Sequence, residues 1–383
     1  MKKIFRHIHL WLSLPFGLVI TITCLTGAIL LLEQDITKIV QRDILYVKEV
    51  KEAPIPLDKL VPQIASTLDE GVTIASVSIT SNPKRTYTFS LSKPRRATIC
   101  VNQYTGEVTG SSARLPFFAT VLRLHRFLLD ERDADSGIFW GKSIVGVSTL
   151  LFVFILLTGV VLWWPTSFKS LSNLVTIHCS KGWSRFWIDT HIVGGIYVWL
   201  FLLALALTGL TWSFPWYSKM FYKVLNSVPQ VSATSPIQSY TIDKGNAIDD
   251  KSAYLPYGCW QGVYEQMAQT YRSYASITLS DGKVKVKRRH IGNQNAADNY
   301  TFDKRTGQLT SCVSYDDTSV SSRMKGLVYS IHVGNWAGLP SRILTFVVAI
   351  LGATLPLTGY YMWIKRLFSR KKKSSKKIAK KKR

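Results

Sequence analysis

Four histidines stand in a repeated relation to four Thr-Gly pairs. The histidines are four of the seven in this 383-residue chain, namely His9, His125, His191 and His332. The pairs are Thr26-Gly27, Thr158-Gly159, Thr208-Gly209 and Thr358-Gly359. Two neutral imidazole nitrogens on opposite sides of one iron are the protein ligands of a bis-His haem. The residue types and their repetition therefore point to haem-iron chemistry.

The elements that must position these residues are four long apolar runs. Each run is close to twenty residues, the length that a helix needs to cross about 30 Å of hydrocarbon. A Thr-Gly pair lies near one end of each run, and a histidine lies at or before the other end. The runs lack the alternation of barrel strands. They predict an integral membrane α-helical protein with four transmembrane helices, over residues 9–33, 139–164, 191–215 and 341–364.

Basic residues next to the runs set the expected orientation. They concentrate in three short segments, residues 1–8, 165–190 (with Lys169) and 365–383. The positive-inside rule places these segments in the cytoplasm, with both termini inside and residues 34–138 and 216–340 outside. We assign much of the net charge of +25 to contact of the tail with lipid headgroups rather than to nucleic acid. A protein partner for the tail is the alternative. The first run lacks a cleavage site before Glu33, so we expect it to be retained.

The chain contains an internal repeat. His9 to Gly27 spans eighteen residues, and so does His191 to Gly209. Each outer segment combines a helical stretch with alternating polar and apolar residues, and each ends in a Thr-Gly turn phrase, "YTGEVTG" or "RTGQLTS". We therefore predict two repeats, each with a small α+β extracytoplasmic module. The stretch 228–252 of the second module is rich in Ser, Thr, Pro and Asp and is interpreted as a loop.

The topology predicts how the histidines pair. His9 and His191 open helices at the cytoplasmic face, whereas His125 and His332 precede helices at the outer face. Two axial ligands need their nitrogens about 4 Å apart across one metal ion, so the pairs are predicted to be His9–His191 and His125–His332. The alternative is that each histidine is an interfacial residue bonded to lipid or backbone. Four symmetric positions favour ligation, because ionisable groups at membrane depth are costly.

The same topology brings two Thr-Gly pairs beside the two histidines of each face. Glycine lacks side-chain bulk, so we predict that a flat macrocycle or another backbone approaches these positions. They are Gly27, Gly159, Gly209 and Gly359. Plain helix packing is the alternative for the glycines. His178, in the loop between the second and third spans, is a candidate substitute ligand.

Several other classes of site are excluded by the motifs. The chain has no Cys-x-x-Cys-His, the usual signal of covalent haem attachment. It has no nucleotide-binding loop, no dinucleotide fingerprint and no His-Glu-x-x-His zinc motif. Cys259 and Cys312 share the second outer segment and are candidates for a disulfide.

The four spans with their histidines resemble the PepSY-associated transmembrane family. The phrases that carry the resemblance are "RHIHLWLSLPFGLVITITCLTGAIL", "RLHRFLL", "DTHIVGGIYVWLFLLALALTGL" and "SIHVGNWAGLPSRILTFVVAILGATLPLTGYYMW". The resemblance covers almost the full chain, and the outer segments look like PepSY modules. His9, His125, His191 and His332 match the Leu-His positions of the family, although Ile8 and Thr190 replace the usual Leu.

The resemblance implies a location and an activity. Characterised relatives are bacterial inner-membrane haem proteins that reduce ferric siderophores in the periplasm. Others are known only as iron-regulated membrane proteins or PepSY regulators. We therefore predict a multi-pass inner-membrane oxidoreductase with two non-covalent b haems. Electrons would pass from a quinol or a cytoplasmic donor to a ferric siderophore or similar ferric chelate.

Two other functions remain open from the sequence. One is a haem-free regulator whose outer modules bind a peptide or a protease, and the other is a permease for the siderophore. A basic cluster in the second module is interpreted either as steering an anionic chelate or as a solvated strand edge. It consists of Lys283, Lys285, Lys287, Arg288 and Arg289. The sequence identifies no catalytic residue beyond the iron ligands.

Overall fold

The computed structural model describes residues 2–131, 138–165, 174–226 and 257–381. Lys169 and the predicted loop 228–252 lie outside these residues. The chain divides into a helical unit and a sheet unit. The helical unit comprises residues 1–33, 116–224 and 331–383, and the sheet unit comprises residues 34–115 and 225–330.

Helices dominate the part of the chain that is described. In chain order they are α1 (Lys2–Leu31), α2 (Glu33–Val40), α3 (Arg42–Leu45), α4 (Leu57–Ala65), α5 (Pro116–Phe127), α6 (Trp140–Trp163), α7 (Trp183–Asp189), α8 (Gly195–Ser213), α9 (Pro215–Asn226), α10 (Trp260–Thr270), α11 (Val320–His332) and α12 (Leu339–Lys381). A π-helical turn, Thr190–Gly194, joins α7 to α8. Short 3₁₀ turns occupy Cys179–Lys181 and Tyr315–Asp317.

Four helical segments are long and apolar enough to cross a membrane. They are Lys2–Leu31, Trp140–Trp163, Trp183–Ser213 and Leu339–Ser369. The predicted multi-pass helical membrane protein is confirmed. The first, third and fourth helices extend beyond the predicted apolar runs at their polar ends. The reason is that Lys and Arg are good helix formers, so a change in hydropathy marks where lipid contact ends rather than where the helix ends.

The helical unit has an aliphatic core between its spans. Ile20, Phe152, Ile155, Leu202 and Val348 are buried there against one another. The same core also contains Leu156, Val198 and Ala206. The histidines and the Thr-Gly pairs lie outside this apolar cluster.

The described residues of the sheet unit form one antiparallel sheet. Its strands are β1 (Ile74–Thr80), β2 (Tyr87–Leu91), β3 (Thr98–Val101), β4 (Val108–Ser111), β5 (Ser276–Ser280), β6 (Lys283–Lys287), β7 (Ala297–Phe302) and β8 (Leu309–Val313). Their order is β4-β3-β2-β1-β5-β6-β7-β8. The two predicted α+β modules are therefore both present, but they share one sheet. Strand β1 of the first pairs with β5 of the second, with Ser78 opposite Thr278.

Alternating residues of the sheet form the core of this unit. Val77, Phe89 and Leu279 are completely buried and pack with α4 and α10. The two Thr-Gly phrases form turns between β3 and β4 and between β7 and β8. Gly106 and Gly307 have φ of 74° and 72° there, a backbone conformation that favours glycine.

The candidate disulfide between Cys259 and Cys312 is not formed in the structure. Cys259 and Cys312 are both free thiols. The Cys259 Sγ instead donates a hydrogen bond to the carbonyl oxygen of Lys304, at 3.3 Å.

Candidate functional site

Each of the four predicted histidines lies against a Thr-Gly pair of a neighbouring helix. The four contacts are His9 with Thr158-Gly159, His125 with Thr26-Gly27, His191 with Thr358-Gly359, and His332 with Thr208-Gly209. The histidines come from α1, α5, the π-helical turn and α11, and the Thr-Gly pairs come from α6, α1, α12 and α8. All eight predicted site residues thus take part in one contact that the structure repeats four times.

The Nδ1 atom of each histidine has two hydrogen-bond partners. It lies 3.0 to 3.1 Å from the threonine Oγ1. It also lies 3.0 to 3.2 Å from the carbonyl oxygen of the residue three positions before that threonine. These carbonyls belong to Ile155, Thr23, Leu355 and Leu205. The threonine hydroxyls are held in place because each donates to the carbonyl four residues earlier in its own helix.

These partners decide which ring nitrogen carries the proton. A carbonyl oxygen can only accept, so Nδ1 must be the donor. In a neutral imidazole, a proton on Nδ1 leaves Nε2 with a free lone pair. Among the described residues, none hydrogen-bonds the Nε2 of any of the four histidines. Each histidine therefore offers an unprotonated Nε2, the state in which imidazole binds a metal ion.

The four glycines make room for the imidazole rings. A Cβ added at any of them would lie only 3.2 to 3.4 Å from Cε1 of the docked histidine. The predicted close approach is thus that of a histidine side chain. The approach of a macrocycle to Gly27, Gly159, Gly209 and Gly359 stays a prediction.

The histidines form the two pairs that their depth predicts. The ring centres of His9 and His191 are 6.4 Å apart, with their planes at 89°. The ring centres of His125 and His332 are 6.3 Å apart, with their planes at 59°. Each pair takes one histidine from the first repeat and one from the second, so neither repeat contains a complete pair.

This spacing fits a metal ion held between two imidazoles. A ligating nitrogen lies about 2 Å from the ion and about 1 Å from its own ring centre, so the two ring centres lie about 6 Å apart. Within the described ranges no group of three or more His, Cys, Asp or Glu residues is arranged to hold a metal ion. Two imidazole nitrogens would suffice only where a macrocycle supplied the remaining ligands. The donor set therefore fits haem better than a bare ion.

Two neighbours of these pairs were not predicted. The Trp212 ring lies 5.0 Å from the His332 ring and is 40% exposed. Asp189 is buried two residues before His191 and accepts hydrogen bonds from Arg185 and from the main-chain and Nδ1 N–H groups of His178. Bonding to Asp189 is the role that the structure gives His178, which was a candidate substitute ligand. In the sequence, Asp189 stands two residues before His191, and this spacing could have identified it as a carboxylate near a site histidine.

The residues of the predicted basic cluster do not share one face of the sheet. Arg288 turns toward the buried Asp298 and is ion-paired with it. Lys283, Lys285 and Lys287 lie on β6, which pairs with β5 on one side and β7 on the other. The lysines are therefore not at a strand edge, because β6 lies inside the sheet, but Lys283 and Lys285 are exposed to solvent as that interpretation expects.

The chain matches a family model described as PepSY-associated TM region, over residues 6–366. The matched region contains all four histidines and all four Thr-Gly pairs. The chain belongs to the PepSY-associated TM family. No curated protein matches it.

Proposed function

We propose that this PepSY-associated TM protein is a di-haem b oxidoreductase that passes electrons across the inner membrane to a ferric siderophore or similar ferric chelate. The observation that carries the proposal is the setting of the paired histidines. The Nδ1 of each faces a carbonyl oxygen, which requires the proton on Nδ1 and leaves Nε2 free, and the two pairs have ring centres 6.3 and 6.4 Å apart. A histidine that only anchors a helix has no need of a second histidine whose ring centre lies 6.3 or 6.4 Å away.

The histidines, their hydrogen-bond partners and the apolar core would have different roles in this function. His9 and His191 would hold one haem, and His125 and His332 the other. The carbonyl and threonine partners keep each ring in its tautomer and orientation and raise the basicity of Nε2. Bound haem would supply a one-electron carrier at each level. The aliphatic core between the levels excludes water and keeps the interior apolar.

The proposed reaction is a one-electron reduction at each turnover. Ferric iron in the chelate takes up one electron and becomes ferrous, and no covalent bond to the protein forms. Hard oxygen donors hold ferrous iron less tightly than ferric iron, so reduction favours its release. A quinol that serves as donor would give up two electrons and two protons, which balances two ferric chelates. A cytoplasmic reductant is the alternative donor.

The test is the absorption spectrum of detergent-purified full-length protein with and without dithionite. We expect a Soret band, reduced α and β bands, and two haems per chain by pyridine haemochrome assay. His9→Ala and His191→Ala should each remove the same haem, and His125→Ala and His332→Ala should each remove the other. Protein from haem-replete cells that has no Soret band would refute the proposal.

The two other functions give different results in the same series. A haem-free regulator is colourless and keeps its regulatory activity in all four His→Ala variants. A permease moves labelled chelate into proteoliposomes without an electron donor. The proposed reductase needs a donor and leaves ferrous iron outside.

A further inference from the structure

The three lysines of β6 lie on the face of the sheet opposite its core, where Lys283 and Lys285 are exposed and Lys287 is half-buried. They alternate with Val284 and Val286, which are buried in the core that includes α4 and α10. Successive residues of a strand point to opposite faces, so Lys283, Lys285 and Lys287 project from the other face. They follow one another about 7 Å apart and together span about 13 Å. We call this row and its cross-strand neighbours the lysine face.

The neighbours of these lysines across the sheet are uncharged. On the β5 side, Ser280, Thr278 and Ser276 stand opposite the three lysines in turn. On the β7 side, Thr301 stands opposite Lys283 and Asn299 opposite Lys285. Cross-strand partners of opposite charge are a usual stabilising pair on a sheet surface. Within the described ranges, none of the three lysines has a carboxylate at ion-pair distance.

Among the described residues, the positive charge of this row therefore has no carboxylate partner, and hydroxyl groups flank the row. The hydroxyl row continues across the seam between the modules, where Thr278 Oγ1 donates to Ser78 Oγ at 3.0 Å. Burial, followed by the charge of Lys285, lowers the pKa of Lys287. An anion on this face would relieve that repulsion and accept hydrogen bonds from the hydroxyl groups.

The repeat shows that the fold does not require the lysines. Strand β2 occupies in the first module the place that β6 has in the second. Since Ser78 and Thr278 face each other across the seam, Thr88 and Ser90 correspond to Lys285 and Lys287. Hydroxyl side chains thus support the same strand in the first module, and only the second module carries the charge.

We propose that the lysine face binds the anionic form of the ferric chelate, one with catecholate or carboxylate oxygens rather than a neutral hydroxamate. This inference rests on the proposed function for the identity of the occupant. The 13 Å row matches one compact multidentate chelate, for which lysines supply charge and hydroxyl groups supply donors. Arg288 takes no part, because Asp298 holds it on the core side.

The experiment measures binding without reduction, on detergent-solubilised full-length protein. The probe is the gallium(III) complex of a hexadentate tricatecholate, which is trianionic and is not reduced under these conditions. The comparison probe is the neutral gallium(III) complex of a hexadentate trihydroxamate. The test variant is Lys283→Thr/Lys285→Thr/Lys287→Ser, in which positions 285 and 287 take the side chains of Thr88 and Ser90 from the first module. The matched control is Lys48→Gln/Lys51→Gln/Lys59→Gln, three exposed lysines outside the face.

We expect the test variant to bind the tricatecholate about tenfold or more weakly at low salt, and added salt to narrow the difference. The control variant should bind like the wild type, and the neutral probe should bind weakly to all three. Equal binding of the anionic probe by test variant and wild type would overturn the inference, and so would equal binding of both probes by the wild type.

The outcomes separate this inference from the proposed function. If the protein contains two haems but the test variant and the wild type bind the tricatecholate equally, the anion-binding inference is refuted and the proposed reductase function is not. Protein without haem whose binding of the anionic probe still depends on the lysines would refute the reductase and leave an anion site. Preference for vesicles with anionic lipid over the tricatecholate would assign the face to a membrane surface and overturn the inference.

Discussion

At the scale of single residues, haem ligation by each histidine would depend on the position of one proton. An imidazole buried beside lipid gains little from being charged, so its neutral tautomers compete. The carbonyls of Ile155, Thr23, Leu355 and Leu205 select one tautomer in the same way four times. The selected form is the one that can ligate iron through Nε2. The ability of Nε2 to bind iron would then be controlled by the hydrogen bonds that Nδ1 makes on the other side of the ring.

The threonine hydroxyls give a first prediction. Thr158→Val keeps the shape of the side chain but removes the oxygen that lies 3.0 Å from His9 Nδ1. Loss of such a partner of a ligand costs about 10-fold to 100-fold in affinity for the bound group. We expect that weakening for the haem of the His9–His191 pair, measured by haem titration of apoprotein. Thr149→Val is the control, since the Thr149 hydroxyl donates to Val145 within the same helix. Equal affinities in both variants would contradict the prediction.

The glycines give a second prediction. In Gly209→Ala the new Cβ would lie 3.2 Å from His332 Cε1, a tighter contact than the 3.4 Å at Gly159 and Gly359. The imidazole must shift by a few tenths of an ångström, which displaces Nε2 as well. We expect a changed low-spin electron paramagnetic resonance signal and weaker haem retention, larger for Gly209→Ala than for Gly159→Ala. Gly195→Ala is the control, because its Cβ would meet only Leu355 at 3.7 Å. A spectrum of Gly209→Ala identical to that of Gly195→Ala would contradict this prediction.

At the scale of elements, the buried Asp298 connects β7 to the segment that precedes α11. It is ion-paired with Arg288 and accepts hydrogen bonds from the Tyr271 hydroxyl at 2.5 Å and from the Tyr315 N–H at 2.7 Å. Burial alone would raise its pKa. The hydrogen bonds and charge of Arg288, with those from Tyr271 and Tyr315, outweigh burial and hold the pKa below its ordinary value of 3.8.

A third prediction follows for the sheet unit. Asp298→Asn should lower the free energy of unfolding by about 2–3 kcal/mol at pH 7, less than for a fully buried pair because Arg288 is partly exposed and keeps Asp316. A carboxyl with a lowered pKa stabilises the fold above its ordinary pKa and loses this effect as the pH falls through the lowered value. The difference between variant and wild type should therefore shrink below about pH 4.

Thermal unfolding of the full chain, followed by tryptophan fluorescence between pH 7 and pH 3, measures this effect. Asp281→Asn is the control. Asp281 pairs with Lys304 at an exposed turn, and exposed pairs contribute about 0–1 kcal/mol. A difference between Asp298→Asn and wild type that stays constant with pH would exclude the proposed role of the carboxylate.

The positions of the helices could be predicted from the sequence, but their neighbours in the fold could not. Hydropathy located the spans, and shared depth paired His9 with His191, because both depend only on positions along the chain. Which Thr-Gly pair receives which histidine depends on helix neighbours, and local sequence does not encode these. The β1–β5 seam joins strands about two hundred residues apart. The inward position of Arg288 could have been predicted from the sequence. It follows Val284 and Val286 at intervals of two residues, so it belongs to the same face of the strand as these buried valines.

At the scale of the whole molecule, the repeat makes each half incomplete. The first half contributes His9 and His125, the second contributes His191 and His332, and each haem site would need one histidine from each. The sheet is divided in the same way, with β1–β4 from the first half and β5–β8 from the second. Duplication alone therefore does not give two independent sites. It gives two sites that both require the halves to associate.

A last prediction tests this dependence. The chain is expressed as two pieces, residues 1–170 and 171–383, separately and together. Each piece alone should lack the bis-His spectrum, because no pair of ligands lies within one half. Co-expressed pieces should copurify with two haems, since the paired spans and the β1–β5 seam bury the apolar surface that holds them together. His9→Ala in the first piece should remove one of the two haems from the reassembled protein. A full haem complement on either piece alone would contradict the cross-repeat pairing.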